Sequence, residues 1–178
     1  RLELDHQNYW VKLQHKHVSA QHELSFINEI NKYQNIHQLN GGILAPHRVL
    51  DVNNLEHRAI ENAIPSLLIV HELAPLFDVS SAQLSVDAIK SVFLQSLEVL
   101  EKLHDLGYIH GDLKVEHFRA FENRAVLIDF EQCVDLNHLV TQENTATPRY
   151  MAPELFHAEP KSYATDLYAI GIIWLEWL

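Results

Sequence analysis

Cysteine is nearly absent: Cys133 is the only one in 178 residues. A single thiol excludes an intrachain disulfide framework and a cysteine zinc site. It suits a reducing, cytoplasmic setting. Basic residues are scarce, with 13 Lys and Arg against 24 Asp and Glu and a net charge of −11. No basic stripe is available to displace counterions from a phosphate backbone, so nucleic acid is excluded as the main partner. Long apolar runs are missing too. The longest, 167–178, falls short of the ~20 residues that span a bilayer. The first five residues, Arg1-Leu2-Glu3-Leu4-Asp5, carry acids where a secretory leader needs basic residues and then an apolar run. Glycine is sparse, and none precedes Lys12. No internal repeat or low-complexity tract is found.

What is present is ordinary globular composition. Hydrophobic residues make up 47% and charged residues 21%, which excludes a disordered chain and allows one domain or one and a fraction. Thirteen histidines is a high count, but a histidine is read as a ligand only where spacing supports it. His15 and His17 share one face of a strand and read as a solvated edge.

Alternation of Leu2, Leu4, Tyr9, Val11 and Leu13 with polar residues predicts a hairpin over 1–13. Leu24, Ile27, Ile30 and Tyr33 predict a helix over 20–34. Residues 43–52 and 66–73 read as strands, the second a continuous apolar run. Ser85 can cap a long helix to about Leu106, with Val86, Ile89, Phe93, Leu97, Leu100 and Leu103 on one face and Gly107 as the stop. Residues 118–121 and 125–128 form a second hairpin. A polar loop runs to about Ala152, and helices follow from Pro153 and from Asp166. The last is apolar all round, the pattern of a core helix. Strands dominate the first part and helices the second. The class is therefore α+β with two lobes joined near Glu72–Asp78.

Asp112 lies directly after the long helix, in His110-Gly111-Asp112-Leu113-Lys114. Asp129 lies 17 residues on, in Leu127-Ile128-Asp129-Phe130. Two aspartates at strand ends, brought together by a hairpin, suit phosphoryl transfer. One orients the acceptor hydroxyl and the other holds a metal against the phosphates. Lys114 can steady the charge on the transferring group.

This ordered set resembles the protein-kinase-like superfamily along nearly the whole chain. His110–His117 resembles the catalytic loop, and Asp129-Phe130-Glu131 stands at the D-F-G position. Thr147–Glu154 (TPRYMAPE) resembles the end of a Ser/Thr kinase activation segment, and Asp166–Gly171 the start of the next buried helix. Tyr9-Trp10-Val11-Lys12 resembles V-A-I-K, and Phe26–Ile30 the helix that supplies the lysine's partner, Glu29. The resemblance implies a two-lobed kinase-like fold, with 1–73 as the N-lobe and 74–178 as the C-lobe. It also implies that the piece is incomplete at both ends, without the first strand and glycine-rich loop, and truncated within or after the central helix.

By the same resemblance, Lys12 paired with Glu29 would hold the α- and β-phosphates of ATP. Asp112 would be the catalytic base, Asp129 a ligand to Mg²⁺ or Mn²⁺, and Thr147 a bridge between Asp112 and Lys114. Glu72 and Ala74 would offer hinge backbone groups to adenine. His110, Phe130 and Tyr33 would stack as a structural spine. The implied reaction is transfer of the ATP γ-phosphoryl group to a Ser or Thr hydroxyl of a protein substrate.

The departures are specific. His117 replaces an asparagine that holds a second metal. It is either a ligand favouring manganese or a structural histidine. Glu131 replaces glycine, which restricts the backbone. Gly111 replaces an arginine that pairs with an activation-loop phosphate, so regulation by loop phosphorylation is not expected. Trp10 and Arg119 flank the adenine site and either sandwich the base or meet and fill the pocket. The filled pocket would make a binding module without turnover. HGD and IDFE also resemble the aminoglycoside- and choline-kinase branch, and lipopolysaccharide sugar kinases have divergent loops. A small-molecule acceptor is therefore the alternative. TPRYMAPE weighs toward protein.

Overall fold

The computed structural model describes residues 2–4, 7–14, 48–51, 66–71, 73–76, 85–121, 124–136 and 146–178. The expected helix over 20–34 lies outside them. The first hairpin forms as β1 (Leu2–Leu4) and β2 (Gln7–Gln14), with Leu2 opposite Tyr9. β2 pairs antiparallel with β4 (Ser66–His71), and β4 with β3 (Arg48–Asp51), in the order β1-β2-β4-β3. The continuous apolar run of β4 is that of the inner strand, which has neighbours on both edges. This register puts Lys12 opposite Leu68 and Trp10 opposite Val70. A short β5 (Ala74–Pro75) leaves this sheet and pairs with β7 (Phe118–Phe121), which in turn pairs with β8 (Arg124–Leu127).

Between them runs α1 (Val86–Asp105). Ser85 caps it: the backbone there is extended and Oγ accepts the Ala88 N–H at 3.2 Å. Asp87 in the first turn and Lys102 and His104 in the last complement the helix dipole. Gly107 follows with φ +85, a conformation glycine adopts without a Cβ penalty. Val99, Leu100 and Leu103 are buried, but Val86 is 67% exposed. The expected apolar face therefore begins one turn later, because Val86 sits in the opening turn.

β6 (Tyr108–Ile109) pairs with β9 (Val134–Asp135), a small sheet that periodicity did not show because each strand has two residues. α2 (Tyr163–Trp177) begins before Asp166, not at it. The Thr165 Oγ1 accepts the Ser162 N–H (3.2 Å) and donates to the Ser162 carbonyl (2.7 Å), closing the first turn earlier. The helix expected from Pro153 forms as a 3-10 helix to His157. α1 and α2 lock through Phe93 and Trp174, whose rings stack at 4.7 Å. Trp174 Nε1 donates to the otherwise buried Ser96 hydroxyl at 3.1 Å. The core joins Leu100, Leu103, Leu113, Phe118, Leu127 and Ile173. α2 keeps exposed apolar residues on its other side, Leu167 and Leu175 among them. No helix among the described residues is long and apolar enough to cross a membrane.

Candidate active site

The site begins with Asp166, a carboxylate buried to 1% exposure at the start of α2. Its oxygens accept the backbone N–H groups of His110 (2.8 Å) and Gly111 (3.0 Å) and face His104 Nε2 (2.9 Å). Charge-assisted bonds of this kind are strong where water is excluded. They fix the loop that carries Asp112. Gly111 has φ +77, and a Cβ there would come within 2.6 Å of the Gln132 carbonyl oxygen and 2.9 Å of Lys161 Cδ and Nζ. Both conformation and space call for glycine.

His110 is fully buried and reaches the Ile128 carbonyl through Nε2 at 3.2 Å. Its Nδ1 accepts the Asp112 N–H at 3.4 Å. The two contacts select the neutral tautomer with the proton on Nε2. Burial, aided by nearby His117, lowers its pKa to about 4. The ring sits 5.5 Å from Phe130 and 5.2 Å from His117. Tyr33, the third expected member of this stack, lies outside the described residues.

Asp112 is reached from two sides. Oδ1 accepts the Thr147 backbone N–H at 2.7 Å, and Oδ2 lies 3.6 Å from Lys114 Nζ. Thr147 thus meets the aspartate through its main chain. Both Asp112 and Lys114 retain exposure (17% and 29%), so a substrate can reach them. The β7–β8 hairpin returns the second aspartate to the side of His117. Phe118 faces Leu127, and the Ile128 N–H donates to the His117 carbonyl at 3.1 Å. Asp129 sits at φ +68, a strained conformation for a residue with a side chain. Its Oδ2 lies 3.4 Å from His117 Nε2.

The Asp129 carboxylate and the His117 imidazole are thus brought side by side, two groups of the kind that can ligate a metal. Among the described residues, no group of three or more His, Cys, Asp or Glu could hold an ion alone. His117 Nδ1 is buried with no hydrogen-bond partner among the described residues, and the imidazole meets Asp129 through Nε2 and the His110 ring through its face.

Downstream, Tyr150 donates to Glu176 Oε2 on α2 at 3.0 Å, and Arg149 pairs with the same carboxylate. Burial and this bond push the Tyr150 phenol up to about 12, so it remains a donor. The cleft beside Asp112 is lined by Gly111, Thr147, Tyr150, Met151 and Thr165. Cys133 is buried, and burial raises its thiol well above the usual value, the state of a small core residue.

The expected residues divide cleanly. Asp112, Lys114 and Thr147 meet, as do Asp129 and His117. Arg119 is half-buried on β7, opposite Val126 and Pro75. For Lys12, Trp10 and Ala74 the strand positions are set. Glu29 and Glu72 lie outside the described residues. The anchoring by Asp166, the burial of Lys161 and the Tyr150–Glu176 bond were not foreseen. The sequence marks Asp166 as an acid in the first turn of an otherwise largely apolar helix.

Comparison with known proteins follows this geometry. The family model "Protein kinase domain" matches residues 8–178. The serine/threonine-protein kinase shk1/pak1 of Schizosaccharomyces pombe is 25% identical over 158 residues, covering 82% of this chain and 24% of that protein. Serine/threonine-protein kinase MST20 of Pyricularia oryzae is 28% identical over 158 residues, 82% of this chain and 17% of its own length. The solved Cydia pomonella granulovirus kinase PK-1 superposes with a TM-score of 0.71 at 19% identity, over 98% of this chain and 60% of that one. The likeness to PK-1 establishes the two-lobed kinase-like α+β fold. The chain spans a quarter or less of the two curated relatives, 24% and 17%.

Proposed function

Because the chain belongs to the protein kinase domain family, we propose that it serves ATP-dependent phosphoryl transfer to Ser or Thr hydroxyls of protein substrates. One observation carries the reading: Asp112, with one oxygen on the Thr147 N–H and the other near Lys114, stands across a hairpin from Asp129 and His117. Thr147 fixes the Asp112 carboxylate, leaving Oδ2 toward Lys114 and the acceptor. Asp112 orients the hydroxyl and receives its proton. Lys114 is exposed enough to follow the transferring group and spread its charge. Asp129 and His117 would hold Mg²⁺ or Mn²⁺, which supplies charge neutralisation at the phosphates. Lys12 with Glu29 would hold the α- and β-phosphates, and Glu72 and Ala74 would present backbone groups to adenine. Trp10 and Arg119 would stack on the base.

The lobes divide at 73/74 in this reading, supported by the pairing of Ala74–Pro75 with β7 rather than β4. A protein acceptor is favoured by the platform from Thr147 to Glu154, tied to α2 through Tyr150 and Glu176. The single buried thiol suits a cytoplasmic protein. The test is label transfer from γ-labelled ATP, offered protein acceptors in parallel with amino-alcohols, aminoglycosides and sugars. Label on protein Ser or Thr, lost in Asp112→Asn, is the expected result. Label only on a small acceptor would move the reading to the small-molecule branch. Nucleotide binding without transfer to any acceptor would make the chain a binding module.

A further inference from the structure

Lys161 sits in an unusual place. It precedes α2 with only 7% of its surface exposed, and its Nζ has no hydrogen-bond partner among the described residues. An ammonium taken out of water without a partner is costly, and a methionine would fill the same volume without that cost. The surroundings give a reason for the charge. A Cβ at Gly111 would lie 2.9 Å from Nζ, so the ammonium stands directly under the turn into Asp112. The charges coupled to it are two carboxylates, Asp112 and Asp166, and the Cys133 thiol.

We propose that Lys161 is a positioning residue for Asp112: its buried ammonium occupies the space left by the missing side chain at Gly111 and supplies positive charge behind the catalytic aspartate. Asp166 is already served by two backbone N–H groups and His104. Asp112 is served on its open side by Lys114, at 3.6 Å and partly exposed. When Lys114 turns to the phosphoryl group, its charge leaves Asp112. Lys161 is enclosed and stays. The charge that would arrive on a side chain at 111 comes here from the segment before α2. Burial lowers the Lys161 pKa, and Asp112 is the foremost charge opposing that fall, ahead of Asp166.

The inference rests on Asp112 as the acceptor-side residue, but its test needs no turnover. The Lys161 side-chain amine would be titrated by NMR in the wild-type protein and in Asp112→Asn. The expected result is a midpoint lower by about one pH unit in Asp112→Asn, the scale of one nearby opposite charge. Identical midpoints would overturn the proposal. Independently, Lys161→Met should keep its thermal midpoint or raise it. Its kcat should fall about tenfold at unchanged KM for ATP, in line with a misplaced general base. An unchanged kcat, or a loss of kcat that only follows a loss of folded protein, would also overturn it. Because the NMR result is independent of transfer, a failed transfer assay leaves it standing, and a matched pair of midpoints defeats it even in an active kinase.

Discussion

The turn at Gly111–Asp112 and the turn at Ile128–Phe130 carry the two aspartates of the proposed site and are held differently. The first is tied from behind to α2, where buried Asp166 accepts two of its backbone N–H groups and Thr147 fixes the Asp112 carboxylate. The second is tied to the hairpin and to imidazoles. Ile128 bonds to His117 and His110, and Asp129 faces His117 from a strained φ of +68. In the proposed reading, the helix-held backbone gives a fixed place for an acceptor hydroxyl. The turn held by histidines then carries the metal-side carboxylate, whose setting depends on ligand chemistry. The acceptor side should fail all at once when its anchor goes, whereas the metal side should be tunable.

The largest break is Asp166→Ala, which strands two buried N–H groups. Urea unfolding should show about 3–5 kcal/mol lost, with turnover gone. A loss under about 1 kcal/mol would mean that the turn holds without its anchor. Asp112→Asn should cut kcat about 10²–10⁴-fold while the unfolding midpoint stays put, separating chemistry from anchoring on the same turn.

On the other turn, His110 sets a pH slope. Its native pKa of about 4 lies below the ordinary 6.5. The unfolded chain therefore takes a proton that the native one refuses, and stability falls as pH drops through that window. The expected loss from His110 by pH 4 is about 3 kcal/mol, and His110→Gln should flatten the slope between pH 6.5 and 4. Smaller still, His117→Asn should change the manganese-to-magnesium preference in nucleotide binding by about tenfold, with little change in stability. The smallest effect belongs to Arg149→Ala. Arg149 is 69% exposed at its pair with Glu176, and stability should move by less than about 1 kcal/mol.

These contrasts also explain what could be read beforehand. α1 was legible because twenty residues repeat one apolar spacing between Ser85 and Gly107. Asp112 and Lys114 stand out in the sequence as ionisable side chains two residues apart, and the structure places them 3.6 Å from each other, whereas the Thr147 contact is a backbone N–H that its residue type does not announce. Two-residue strands such as β6 and β9 leave no period to detect. The start of α2 was misplaced because Ser162 and Thr165 close the turn by a local exchange of hydrogen bonds. Lys161 was invisible because a lysine near a proline reads as surface. Only the packing under Gly111 shows it enclosed.

The most direct test is calorimetric titration of ATP into the protein with Mg²⁺ and then Mn²⁺, repeated on Asp129→Asn and Lys12→Ala. The account predicts binding that requires the metal and weakens by at least about tenfold in Asp129→Asn. Binding that ignores the metal, or that Asp129→Asn leaves intact, would contradict a phosphoryl-transfer site built on these two turns.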